Sequence, residues 1–574
     1  MLSLRTRPLL GLACLLACVG CSDDPSGGPM PQPEGDSGTD AALESGTPID
    51  SGHEASVEAG GDASNDSPPG PPSIDPPGDL SVDEDHTLSL QVEVHPNATS
   101  EVRVMAAGLP PGARWNEDAR RLVFTPDFIQ GGQSWKVTLT ASSAHGATSE
   151  TFTLTVNDTI QPPWPTVAKT EVGSGYKSLW LDQKTDAYLD SPGHAGRVIQ
   201  ARVIVPDEAS DSNRVPVRVY LHGFGGGPYD GTSSGGQFRI YPHDPMNSYW
   251  WGYAASLPGA PPSGTVPNYT QRRVLHLLEW VLRQQTGADP NRVYVTGGSM
   301  GGAGAATLGF TYARHFAFVE ATIGQTVPRN HRPSRLQQLS GLWGTPEANL
   351  PDGTALENGQ PLGVWDRQDL CRLLQDSAEA RTLHIHTKHG KDDPTIHFGA
   401  VTLPSPITQR SFLDALRDHR VGHYVVWDEG GHGSSDPLMP GGWWDDGWSR
   451  LFDAKAFLRS DLPFPAFSMA SHDWNPGDGS GNGKQPWSDD TGYAGKEGIA
   501  GDTGWSGDIA GARNRFLRWD STGIKDSATQ LVVPLYAVDG QGGDAPKAGY
   551  PSTGDRIDRT LPFEVDVTIR RSRG

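Results

Sequence analysis

A chain of 574 residues is too long for one hydrophobic core and predicts about three domains. Its formal net charge of -22 argues against a nucleic-acid partner, because gripping a phosphate backbone needs a basic face. Only 35% of residues are hydrophobic, while 71 are glycine and 48 proline, so long loops and a segment too polar to fold alone are expected.

The first 21 residues have the build of an export signal. Arg5 and Arg7 precede PLLGLACLLACVG, an apolar run too short to span a bilayer. Cys14, Cys18 and Cys21 fall in or beside it. The stretch resembles a bacterial lipoprotein signal. That resemblance implies a mature chain starting at a lipid-bearing cysteine: Cys18 by LLAC, or Cys21 by the polar SDD after it. A plain secretory signal is the alternative, and either way the protein is exported. Cys371 alone remains deep in the chain, so burial and not a disulfide must stabilise the folded domains.

Residues 22–79 contain no lysine or arginine and are dominated by Gly, Ser, Pro, Asp, Glu and Ala. Such a segment buries too little to offset ordering, and its like charges extend it, which predicts a disordered linker. Residues 80–158 switch to period two in TLSLQVEV, RLVFTPD, WKVTLTAS and TFTLTVND, with turn residues between. Strands at that spacing predict a small β-sandwich. GLPPGARWNEDARRLVFTPDF and TFTLTVND resemble the cadherin-like, immunoglobulin-like modules of bacterial surface proteins, which implies a spacer or adhesive unit.

Residues 161–463 alternate strands and helices: RVIQARVIVP, PVRVYLHG, the amphipathic TQRRVLHLLEWVLRQQ, RVYVTG, AGAATLGFTYARHF, AFVEATI, TLHIHTKHG, RSFLDALRD, HYVVWDEGGHG and WSRLFDAKAFLRS. The alternation predicts an α/β domain with a mostly parallel sheet covered on both faces. After residue 463 the chain is rich in Gly, Asp and Ser, then strand-like again in RFLRWD, QLVVPLYAV and PFEVDVTI. Residues 464–574 therefore read as a small β-rich domain.

The chemistry lies in the α/β segment. GGSMG places Ser299 after the strand RVYVTG and before an alanine-rich helix, the setting of a nucleophile elbow. GTSSG around Ser233 matches the same short pattern but has neither a strand before it nor a helix after it. A serine needs a base, and the base an orienting acid. His432 in DEGGHG follows a strand end and is the expected base. HGKDDP, after the preceding strand, offers Asp393 or its rival Asp392 as the acid, and its resemblance to HGxxDP implies Asp393. The helix N-terminus directs the backbone N–H of Met300 toward an oxyanion.

These ordered motifs, with HGKDDP similar to HGxxDP and YLHGFGGG similar to an oxyanion-hole loop, resemble the α/β-hydrolase superfamily over about half the chain. By that resemblance the backbone N–H of Phe224 is the second oxyanion donor, with Gly225 the alternative, and His222 shapes the loop. DPNRVYVTGGSMGG and HGFGGG are most similar to secreted esterases of the polyhydroxybutyrate-depolymerase and feruloyl-esterase group. They also resemble the catalytic domains of prolyl-oligopeptidase-like peptidases, although the sandwich is too short for a β-propeller, whose blades take about 40 residues each.

The expected activity is hydrolysis of a small or polymeric carboxylic ester, with no cofactor. The rivals are a serine peptidase and an inert surface adhesion protein. His384, His386, His389 and His397 crowd one region, but strand and acid loop already account for it, and no metal is expected. DGSGNGKQPWSD has calcium-loop spacing at Asp478, Ser480, Asn482, Gly483 and Asp489, yet it lacks flanking helices and the apolar anchor. Trp250, Trp251, Trp443, Trp444 and Trp448 sit in predicted loops, where they pack or line a cleft.

Overall fold

The computed structural model describes residues 15–16, 70–97, 101–228, 235–355, 361–390, 393–428, 431–432, 458–470, 511–514, 517–519, 523–527, 530–537 and 565–570. The signal apart from Leu15 and Leu16, most of the linker, Ser233, Asp392, Trp443, Trp444, Trp448, the calcium-like loop and most of WSRLFDAKAFLRS lie outside these residues.

The alternating segment near the N-terminus forms two small sheets. One runs Leu80–Asp83, Gly146–Asn157, Ser134–Ser143, Arg103–Ala107, and the other Leu88–Gln91, Arg121–Phe124, Arg114–Asn116. Every second residue turns inward, and Val104, Leu122, Phe124, Val137, Leu139, Leu154 and Val156 from both sheets share one buried core.

The central sheet has ten strands: β1 (Thr166–Gly173), β2 (Tyr176–Lys184), β3 (Val198–Pro206), β4 (Val215–Leu221), β5 (Phe238–Tyr241), β6 (Ala288–Gly298), β7 (Phe318–Thr322), β8 (His384–Gly390), β9 (Gly422–Asp428) and β10 (Gly511–Arg513). Their order is β1-β2-β3-β5-β4-β6-β7-β8-β9-β10. The sheet is parallel from β5 through β4, β6, β7 and β8 to β9. Both ends differ from the alternation read in the sequence. The chain enters through an antiparallel run, β1-β2-β3-β5, and β10 closes antiparallel on β9. Both faces of the parallel strands are covered, so Val217, Val219, Val293, Val295, Val319, Ile385 and Val425 are buried in one large core, although β8 itself is rich in histidine.

Helix α1 (Tyr269–Gln284) turns Val274, Leu277, Leu278 and Val281 inward, as its spacing predicts. Arg273, His276 and Glu279 on its other faces are buried as well. One cause is the sandwich, whose turn Phe128–Gln130 packs against α1 and contributes Phe128 and Ile129 to the central core. Helix α2 (Met300–Thr311) is buried over nearly its whole length beneath the sheet's crossover point.

Among the described residues past 463, Phe464–Ala470 pairs with Val565–Arg570, while β10 belongs to the central sheet. Phe464, Phe467, Trp519 and Val533 share a cluster with Tyr294 and Phe318 of β6 and β7. These strands thus pack directly on the α/β unit.

Candidate active site

At β4 the sheet order reverses: β5 returns on one side of it and β6 lies on the other. The carboxyl ends of neighbouring strands there diverge into loops and leave a crevice. Ser299 stands at this carboxyl edge, between β6 and α2, with φ 61° and ψ −124°. A side chain rarely adopts that conformation, and the surroundings hold it in place. The Ser299 N–H donates to Thr322 O (2.9 Å), and the Ala303 N–H donates to Ser299 O (3.0 Å). The elbow is tight enough to need glycine on both sides. A Cβ on Gly297 would strike the Gly301 backbone, and one on Gly301 would strike the Leu221 carbonyl.

His432 and Asp393 come to this serine from the loops after β9 and β8. His432 Nε2 lies 2.9 Å from Ser299 Oγ, and Nδ1 lies 2.7 Å from Asp393 Oδ2. The carboxylate is fully buried, and its other oxygen accepts the Thr395 N–H (2.7 Å) and the Ile396 N–H (3.0 Å). Four lone-pair directions are thus largely engaged and the group cannot turn. With Asp393 accepting at Nδ1, Nε2 is the acceptor for the serine proton.

The loop after β4 lies against the elbow. A Cβ on Gly223 would come 3.9 Å from Ser299 Cβ. Residues 223–226 close a turn through the Gly226 N–H on Gly223 O (3.1 Å), with Gly225 at φ 73°. The Gly225 N–H donates to Asn247 Oδ1 (2.7 Å) and is therefore already engaged. His222 is buried beneath the loop. Its Nε2 accepts the Asp244 N–H (3.0 Å), and Nδ1 accordingly donates to Gly223 O (2.7 Å). Burial holds the ring below the ordinary histidine pKa, against a hydrogen bond to Gly223 and the charge of Asp244. It is a neutral brace for the loop.

Ser299, His432 and Asp393 are therefore joined by hydrogen bonds at one strand edge, with Met300 the residue after Ser299 and Phe224 in the loop beside it. Other residues singled out in the sequence go elsewhere. Trp250 and Trp251 are core, not cleft: the Trp250 indole lies against Gly304 and donates to His222 O (3.1 Å), and Trp251 donates to Val266 O (2.9 Å). His384 and His386 lie among Phe318, Tyr424, Phe464 and Trp519. Among the described residues no group of three or more His, Cys, Asp or Glu could hold a metal. Asn247 and Arg335, which touch the loop after β4, and Gln338, which bonds Asn247, carry no motif in the sequence.

Residues 252–436, which run from before the elbow to beyond His432, match the model of the Esterase family. The chain carries an α/β-hydrolase esterase domain. Solved structures similar to the esterase domain include an S-formylglutathione hydrolase from Agrobacterium tumefaciens, with 18% identity and a TM-score of 0.33 over 47% of this chain and 92% of that one. An S-formylglutathione hydrolase from Staphylococcus aureus has 15% identity and a TM-score of 0.32 over 49% and 98%. A ferulic acid esterase has 15% identity and a TM-score of 0.31 over 49% and 97%. No curated protein matches the chain.

Proposed function

We propose that the protein is an exported serine esterase that cleaves carboxylic esters through an acyl-enzyme on Ser299. The observation that carries this reading is the unbroken hydrogen-bonded run from Asp393 through His432 to a serine on a strained elbow. Ser299 Oγ attacks the acyl carbon as His432 Nε2 takes its proton. Asp393 fixes the imidazole tautomer and stabilises the imidazolium. The N–H groups of Met300 and Phe224 receive the oxyanion. His432 returns the proton to the leaving alkoxide, then deprotonates the water that releases the carboxylate.

The test is labelling by a fluorophosphonate probe and turnover of p-nitrophenyl esters. Ser299→Ala is expected to lose both, and full activity in that variant would end the proposal. Faster cleavage of proline-containing amides than of esters would move the activity to peptide bonds. Export with a lipid at Cys18 or Cys21 rests on the signal alone. Mass spectrometry of the mature N-terminus should find the lipid, and an unmodified N-terminus after residue 21 would leave secretion without an anchor.

A further inference from the structure

The loop that supplies the Phe224 donor is glycine-rich, and its internal ties, the Gly226 N–H and His222 Nδ1, both end on Gly223 O. It is gripped from outside at two successive residues. The Gly225 N–H donates to Asn247 Oδ1 at 2.7 Å. The Arg335 guanidinium lies 3.5 Å from the centroid of the Phe224 ring, which is 44% exposed. Asn247 is itself fixed. Its N–H donates to Asp244 O (3.1 Å), and its carbonyl accepts Gln338 Nε2 (3.0 Å) from helix α3 (Pro333–Trp343). It stands at φ 50°, a conformation asparagine tolerates better than most residues.

We infer that Asn247 is a positioning residue for the oxyanion hole, tying the loop after β4 to α3 so that the Phe224 N–H is aimed before substrate arrives. The inference rests on the serine-esterase reading. By accepting from Gly225, Asn247 fixes the peptide plane next to the one that carries the Phe224 N–H. Arg335 clamps the side chain of the same residue. A donor fixed in advance need not be reoriented when charge develops, and such donors act in the tetrahedral state and not on bound ester. Loss of Asn247 should therefore lower kcat and spare KM.

Two substitutions separate the acceptor from the backbone. Asn247→Gly keeps the left-handed conformation and removes the acceptor. Asn247→Asp keeps both. With a soluble p-nitrophenyl ester, Asn247→Gly is expected to lower kcat about 10- to 50-fold, with KM within about twofold. Its affinity for a trifluoromethyl ketone, which forms a tetrahedral adduct on the serine, should fall in proportion. Asn247→Asp should stay within about threefold of the unaltered enzyme. Wild-type kcat and inhibitor affinity in Asn247→Gly would overturn the inference, as would equal losses in the two variants. If Asn247→Gly does not fold, Gln338→Met carries the test with a smaller fall in kcat, about threefold to tenfold, at constant KM. An unchanged kcat there refutes it. Unaltered protein that neither labels with fluorophosphonate nor turns over ester removes the esterase reading and this inference with it. Active unaltered protein beside a fully active Asn247→Gly removes the inference alone.

Discussion

Ser299 and its partners divide the work by burial. Asp393 is wholly enclosed and takes two backbone N–H bonds besides the bond to His432, whereas the His432 side chain keeps 22% exposure and can meet water and substrate. Asp393→Asn retains the shape but offers the imidazole an amide that can donate, favouring the wrong tautomer. We expect kcat for a small ester to fall roughly 10²–10⁴-fold with little change in melting temperature. A fall below tenfold would mean that another group orients His432. Sequence order pointed to Ser299, His432 and the Asp392–Asp393 pair, because strand–turn–helix and strand-end loops are local patterns, and the likeness of HGKDDP to HGxxDP favoured Asp393. Asn247 and Arg335 were not legible in that way. They act on the loop from positions 22 and 111 residues away, counted from Gly225 and Phe224, through contacts that only folding creates.

At the scale of the elements, several that surround the site bury histidine without charge. Burial lowers His389 on β8 to a pKa of about 3, as it does His423 on β9, where a hydrogen bond to Val421 only partly opposes it. Burial likewise takes His276 on α1 to about 4. In the unfolded chain each titrates near 6.5. Below that pH the unfolded state binds more protons, so stability is full above pH 6.5 and falls as pH drops toward the folded values. Glu279, also on α1, works the other way. Burial raises it to about 7, the charge of Arg283 opposing, so its ionisation in the unfolded chain erodes stability as pH rises from 4.5 to 7. Three histidines outweigh one glutamate. The net loss from pH 6.5 to 5 should be on the order of 4 kcal/mol at about 1.4 kcal/mol per group per pH unit. Denaturant midpoints measured at pH 5, 6 and 7 check this, and a flat profile would refute it. Glu279→Gln should stabilise most above pH 7 and not at all below pH 4.5.

Across the whole molecule, the sandwich and the esterase domain share a polar seam. Arg314 makes a two-point contact with Glu379 (2.9 Å each) and donates to Thr125 O and Gln130 Oε1 of the sandwich (3.2 Å each). His315 Nε2 bonds Asp127 Oδ2 at 2.7 Å. Burial pushes the Asp127 carboxyl up, but His315, Arg314 and the Ile129 backbone together hold it below the ordinary carboxylate range. Arg314→Ala leaves the half-buried Glu379 without its cation and should cost somewhat less than the about 3–5 kcal/mol of a fully buried pair. The same variant should spare kcat/KM on a small ester, because the length of α2, about 18 Å, separates Arg314 from Ser299. A large kinetic loss in folded Arg314→Ala would show coupling along α2.

The alternating strands suggest a sandwich that folds alone and a catalytic unit that works when the chain starts near Gln161. The seam adds a stability cost to the second expectation. Such a chain loses Phe128 and Ile129 from the central core, about 3–6 kcal/mol of burial. It should melt at a lower temperature than the full chain, and an equal melting temperature would show that the seam adds nothing.

Local pattern by itself determined the strand-turn-helix at Ser299, the parallel core of the central sheet, and the strand-end loops that carry His432 and the Asp392–Asp393 pair. These follow from hydrophobic period and turn chemistry within a dozen residues, and neighbours in sequence decide them. Tertiary structure alone decided that both ends of the sheet run antiparallel, that Trp250 and Trp251 are core, and that α1 is buried by a turn of the sandwich. It alone joined Asn247 and α3 to the loop after β4. Each of these depends on which distant surface excludes water from a segment, and a segment's own sequence does not carry that information.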